Sequence, residues 1–231
     1  MMTQGRRMMP SERAVAIFDV CGTLYDANTT AGFVTYVAER SERRFAALST
    51  AATLSRLSPL RYGLRVVGLV LRRDLGRAVL LHTLRGLPES RLDMWAREYV
   101  AERLSLVQIA ETHACLRAAQ QQGDRVVLVS NSIDPVVRAI AARLNTDYVS
   151  SRLEIVDGRA TGRLAQDLTG IKHELVEHVR QGCAGRLTVI SDNASDAQLL
   201  ALADRPVIVR HRGKRHPAHA GIEAEFIHVD R

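Results

Sequence analysis

Aromatic residues are scarce in this chain, at 4% of its length. Base-stacking nucleic-acid modules depend on such rings, so their scarcity counts against that class. Cysteine is scarcer still. Cys21, Cys115 and Cys183 are far apart, odd in number and without a CxxC pair. Neither a zinc site nor a disulfide framework is indicated, and a reducing cytoplasm is the simplest expected setting. None of the three is followed six residues later by arginine, so a phosphate-cradling cysteine nucleophile is not expected. No run of about 18 uncharged apolar residues exists, so no spanning helix is expected. Met1 to Pro10 carries arginines but no apolar core segment, unlike a secretory signal. Low-complexity tracts are missing as well.

What remains is a chain of 231 residues, 46% hydrophobic. That suffices for one large domain, or a core domain with a smaller insert. The formal charge of +7 comes mostly from arginine. It suits an anionic partner such as a phosphorylated metabolite, a membrane surface or nucleic acid, or simply a basic surface in water.

The chain is organised around Ile17-Phe18-Asp19-Val20-Cys21-Gly22-Thr23. An apolar run from Ala14 to Phe18 ends in a carboxylate, and turn residues follow. A buried parallel strand reads this way. Ligands of open α/β sheets bind beyond the carboxyl ends of strands, where Asp19 would sit. A strand ending in an Asx turn would look the same.

Residues 1–12 read as a loose tail and 30–118 as overwhelmingly helical, with apolar residues at threes and fours. Pro59 and Gly86-Leu87-Pro88 break the pattern, and Ser90 could cap a new helix. So long a stretch exceeds a simple crossover, and a helical insert over the sheet is predicted. The sheet resumes at Arg125 to Val129, ending in Ser130-Asn131-Ser132. Asp134-Pro135 opens a helix, Asp157-Gly158 centres a hairpin, and a helix is predicted over 171–181. Leu187 to Ile190 forms another buried strand, ending in Ser191-Asp192-Asn193-Ala194-Ser195-Asp196. A helix over 197–203 and a strand over 206–210 follow, with a short strand near Phe226 to Val229.

Three strands thus end in polar groups with complementary chemistry. Asp19 can attack phosphorus and form an aspartyl-phosphate. Attack on an anionic phosphoryl group needs neutralisation, which Mg²⁺ supplies with oxygen ligands and retained waters. Asp19 and Asp192 are the natural carboxylate ligands, with Asp196 supporting the metal or its waters. Ser130 and the amide of Asn131 can donate to phosphoryl oxygens, and Lys172 supplies a fixed positive charge.

Asp19-Val20-Cys21-Gly22-Thr23, then Ser130, Lys172 and Ser191 to Asp196, resemble in order the four motifs of the haloacid dehalogenase superfamily. The resemblance covers nearly the whole chain. Asp157 to Arg163 and the helical insert look like its phosphoserine phosphatase-like branch. The resemblance implies an α/β fold, a doubly wound parallel sheet with a helical cap over residues 30–118. It implies Asp19 as nucleophile, and Mg²⁺ held by Asp19, Asp192 and the backbone carbonyl of Cys21. Thr23, Ser130, Asn131 and Lys172 would bind the phosphorylated small-molecule substrate.

One position departs from that pattern. Phosphatases of the superfamily usually carry a second aspartate two residues after the nucleophile, to protonate the leaving group and activate water. Here that position is Cys21, and a thiol is a poor substitute at neutral pH. Three readings stay open. Another acid serves, from the cap or the substrate; the enzyme is slow or limited to good leaving groups; or it hydrolyses carbon–halogen or carbon–phosphorus bonds. Asp192 with Asp196 favours the phosphatase over metal-free dehalogenation. A catalytically weak phospho-ligand-binding protein is the non-enzyme alternative.

Smaller signals remain. Arg56, Arg61, Arg65, Arg72, Arg73, Arg77 and Arg85 could form a basic membrane-recruiting face, but a solvated face over a cap core is the simpler reading. His211, His216 and His219 read as part of a flexible tail. Tyr25 and Asp26 are expected to shape a flap, or merely to pack.

Overall fold

Val15–Phe18 (β1) is buried at every residue, as a central strand requires. The computed structural model describes residues 12–41, 75–213 and 221–230. Within them β1 is joined by Arg125–Ile133 (β2), Asp147–Val156 (β3), Arg159–Gln166 (β4), Leu187–Ser191 (β5), Arg205–His211 (β6) and Glu225–Val229 (β7). The sheet order is β4-β3-β2-β1-β5-β6-β7, with every pair parallel except the β3–β4 hairpin. This is the doubly wound α/β sheet that the resemblance implies, and the strand near Phe226 is present.

Alternation along each strand divides the core. Ala16 and Phe18 join Val126, Leu128 and Ile190 on one face. Val15 and Ile17 join Val127, Val129 and Val189 on the other. The first face carries the larger load. On it pack Thr29–Arg40 (α1), Leu75–His82 (α2), Glu89–Glu102 (α3), Ala110–Gln121 (α4) and Asp134–Leu144 (α5). The second holds Val176–Val179 (α6) and Ala197–Ala201 (α7).

Local chemistry explains the element ends. Asn28 caps α1 by accepting from Ala31 N at 3.0 Å, and Pro135 sits in the first turn of α5. Asp157 and Gly158 both have positive φ, 50° and 70°, as a two-residue hairpin turn needs. The hairpin is sewn to the insert: Gly86 N donates to Ala160 O at 2.7 Å and Ala160 N to Leu87 O at 2.9 Å.

Four expectations need adjustment. Ser90 is not the cap of α3; Pro88 holds that place, with no side-chain bond, and Ser90 lies inside the first turn. The helix predicted over 171–181 is a 3-10 turn, Lys172–Leu175, followed by the single turn α6. The strand expected to end in Ser130 to Ser132 runs on to Ile133, bulged between Ser130 and Ile133. Finally, α4 packs against β1, β2 and β7. The expected insert boundary at 118 therefore falls inside a helix of the sheet layers. Helical periodicity cannot tell which layer a helix joins. No helix among the described residues is long and apolar enough to cross a membrane.

Candidate active site

The carboxyl ends of β1, β2 and β5 converge. Asp19 follows β1 directly and is 4% exposed. Its backbone N donates to Ile190 O at 3.0 Å, which locks the end of β1 to β5. Lys172 Nζ donates to Asp19 Oδ1 at 2.6 Å and to Asp196 Oδ2 at 2.9 Å. Lys172 and Asp196 are equally hidden, at 4% and 2% exposure. Ser191 Oγ donates to Asp196 Oδ2 at 2.7 Å. Asp196, expected beside the metal, thus has Oδ2 occupied by Lys172 and Ser191, and in this geometry it fixes the lysine.

Burial pushes the Asp19 carboxyl up to about 6 against the pull of Lys172, and the charges of Asp196 and Asp192 add to the rise. Burial alone would discharge Lys172, but Asp19 and Asp196 override it and hold the ammonium above its usual range. The lysine is therefore a permanent cation, and Asp19 ionises within reach of neutral pH.

Asp192 stands on the other side of the β1 loop. Thr23 Oγ1 donates to Asp192 Oδ1 at 3.2 Å and accepts from Asp192 N at 3.0 Å. Thr23, expected to touch substrate, is fully buried and instead orients Asp192. Gly22 lies under the same carboxylate with φ +76°, and a Cβ there would meet Asp192 Oδ2 at 2.2 Å. Only glycine fits this backbone and this approach.

Ser130, at the end of β2, is buried; its Oγ accepts from Ser132 N at 3.2 Å. Asn131 stands in the bulge with its backbone carbonyl bonded to Arg77 Nη2, and its Oδ1 is buried without a partner among the described residues. Arg77 also donates to Asp167 Oδ1 at 2.8 Å and Thr169 Oγ1 at 2.9 Å. This arginine, read as part of a basic outer face, is turned inward and ties α2 to the Asn131 bulge. Arg56, Arg61, Arg65, Arg72 and Arg73 lie outside the described residues.

Cys21 Sγ is hydrogen-bonded to Thr29 Oγ1 at 3.0 Å and to Ser132 Oγ at 3.2 Å. Thr29 and Ser132 bond each other. Burial, with the charge of Asp19 behind it, pushes the Cys21 thiol above its ordinary value. Tyr25 is fully buried. Its backbone carbonyl accepts from Gly22 N at 2.7 Å, and Asp26 N donates to Val107 O at 2.9 Å, so this loop is pinned to the stretch before α4.

The sequence reading missed two groups. Thr29 opens α1 and carries no signal of its own. His211 is not in a flexible tail: it ends β6, is buried, and donates Nε2–H to Gly22 O at 2.6 Å, with Asp192 Oδ2 at 3.7 Å. The carbonyl can only accept, which fixes the proton on Nε2. The strand predicted over 206–210, extended by one residue, was the available signal. His216 and His219 lie outside the described residues.

The haloacid dehalogenase-like hydrolase family model matches residues 16–201. The chain belongs to that family. No curated protein sequence matches it. Among solved structures, a protein of unknown function from Bordetella pertussis Tohama I is 19% identical, with TM-score 0.68 over 86% of this chain and 91% of that one. A phosphoserine phosphatase solved as a phospho-aspartyl intermediate analogue is 17% identical, with TM-score 0.56 over 86% and 87%. Cytosolic 5'-nucleotidase IIIB bound to cytidine is 15% identical, with TM-score 0.60 over 87% and 74%. At these identities the likeness is one of fold.

Asp19 and Asp196 share one lysine, and the charge of Asp192 also acts on Asp19, leaving negative charge to be balanced. Among the described residues no group of three His, Cys, Asp or Glu side chains could hold a metal. Two carboxylates, Asp19 and Asp192, plus the Cys21 carbonyl would leave the remaining positions to water, which suits Mg²⁺.

Proposed function

We propose that this hydrolase is a Mg²⁺-dependent phosphatase that transfers the phosphoryl group of a small phosphorylated molecule to Asp19 and then to water. One observation carries the reading. A buried carboxylate ends the central strand, Lys172 Nζ holds its Oδ1 at 2.6 Å, and its Oδ2 takes no hydrogen bond from the described residues. That is a nucleophile aimed by its neighbour rather than a satisfied core carboxylate. Mg²⁺, when bound, offsets the charge of the carboxylates and the phosphoryl oxygens. Lys172 orients Asp19 and stays cationic, Asp196 and Ser191 hold the lysine, and Ser130 with the Asn131 amide can donate to phosphoryl oxygens. The insert helices close one side as a cap, and a reducing cytoplasm suits the free Cys21, Cys115 and Cys183.

The test is phosphate release from a panel of phosphorylated metabolites, with and without Mg²⁺, together with intact mass after rapid quench. Turnover that needs Mg²⁺ and is lost in Asp19→Asn, with a phosphate adduct seen only on the native chain, is the expected result. Turnover surviving in Asp19→Asn would overturn the role of Asp19. Halide release from halo-acids, or cleavage of phosphonates without phosphate-ester hydrolysis, would overturn the phosphatase reading itself.

A further inference from the structure

Asp19 faces the charged groups already described. Near enough for the Asp19 charge to act on Cys21 stands a closed cluster: Cys21 Sγ, Thr29 Oγ1 and Ser132 Oγ, each bonded to the other two. Thr29 is fully buried and Ser132 nearly so. Cys21 stands two residues past Asp19, and Ser132 two residues past Ser130, so the cluster borders both the nucleophile and the phosphoryl-binding serine. Among the described residues no carboxylate, imidazole or ammonium bonds to these three side chains. The nearby carboxylates are committed elsewhere: Asp196 to Lys172 and Ser191, and Asp192 to Thr23. A thiol and two hydroxyls that spend their protons on each other form a polar wall without a proton to give.

We propose that this neutral wall restricts the enzyme to activated phosphoryl donors, acyl phosphates and phosphoanhydrides, whose leaving oxygen departs as a stable anion. The inference rests on the phosphatase reading above and names its substrate class. In the first step an Asp19 carboxylate oxygen forms a bond to phosphorus. The bond from phosphorus to the leaving oxygen breaks, and its electron pair goes with that oxygen. A carboxylate or phosphate leaves in this state unaided, whereas an alkoxide needs a proton from an acid. In the second step water attacks phosphorus, the pair of the Asp19–phosphorus bond returns to the carboxylate, and the water proton passes to solvent.

The experiment measures kcat/KM with Mg²⁺ for acetyl phosphate, inorganic pyrophosphate, p-nitrophenyl phosphate, phenyl phosphate, glycerol phosphate and phosphoserine. A positioned acid contributes about 10²–10⁴-fold where the leaving group needs one. The native enzyme is therefore expected to hydrolyse acetyl phosphate, pyrophosphate and p-nitrophenyl phosphate at least ~100-fold faster than the two alkyl esters. Cys21→Asp should narrow that gap by raising the alkyl esters selectively, and Cys21→Ser should leave it. Alkyl esters turned over within ~10-fold of the activated donors by the native protein would overturn the inference and leave the phosphatase reading standing; this comparison needs no variant. No Mg²⁺-dependent turnover of any donor would overturn the phosphatase reading and the inference with it.

Discussion

The two sides of Asp19 are built on opposite principles. One is ionic: Lys172 bridges Asp19 and Asp196, and all three side chains are buried. The other is neutral: Cys21, Thr29 and Ser132 exchange hydrogen bonds with no net charge. Buried charges interact strongly and fail badly when one partner goes, whereas neutral hydrogen bonds contribute little each. The difference teaches where each function lies. The ionic side fixes Asp19 through Lys172 and Asp196 at the cost of mutual dependence. The neutral side tolerates change, and it is there that the choice of leaving group can be altered without unfolding the site.

The largest expected effect tests the ionic side. Lys172→Met leaves two buried carboxylates without their cation and should cost about 3–5 kcal/mol in chemical denaturation. Phosphatase activity should fall by about 10²–10³-fold. Adding Asp19→Asn and Asp196→Asn to it should restore much of the stability. If the triple variant is no more stable than Lys172→Met, the ionic side is not the coupled unit described.

The pH dependence comes next. The folded carboxyl of Asp19 lies near 6, above its ordinary 3.8. Between those values the folded chain holds the proton more tightly than the unfolded chain. The stability this contributes is full below about pH 4 and lost as pH rises through 6, with a size of order 3 kcal/mol. Comparing native protein and Asp19→Asn from pH 4.5 to 7.5 in EDTA should isolate it: the native chain loses stability relative to the variant as pH rises. A constant difference would show that burial does not raise this carboxyl.

Gly22→Ala is intermediate. Its Cβ would fall 2.2 Å from Asp192 Oδ2 at φ +76°. A loss of about 2 kcal/mol is expected, with Mg²⁺ affinity weakened in calorimetry. Unchanged affinity would place the metal away from Asp192.

The smallest effects should lie on the neutral side. Ser132→Ala leaves the bond between Cys21 and Thr29 and should cost about 1 kcal/mol, with Mg²⁺ affinity unmoved. A loss as large as that of Lys172→Met would abolish the contrast between the two sides.

Much of this was legible in the chain because it is written locally. Short apolar runs ending in Asp19, Ser130 and Asp192 mark strands and their carboxyl ends, and a parallel sheet must bring those ends to one edge. The buried site gives lysine at 172 a further reason. Of the 32 lysines and arginines, only Lys172 and Lys214 are lysine. A compact point charge on a flexible stem suits two carboxylates in a tight buried space, which a planar guanidinium would not fit.

What only the tertiary structure decided is whatever depends on which side a residue faces across distant segments. Asp196 turns from metal support into the anchor of a lysine 24 positions earlier. Thr23 turns from a substrate contact into the partner of Asp192, 169 positions later. His211 leaves the tail for the underside of Gly22, and Arg77 leaves an outer face for the Asn131 bulge. Thr29 acquires meaning only beside Cys21 and Ser132. The sequence by itself determined which strands would form and which chemistry sits at their ends, because period and residue type are local properties. Packing decided the partners, because a hydrogen bond is set by a few ångströms of space that no spacing along the chain records.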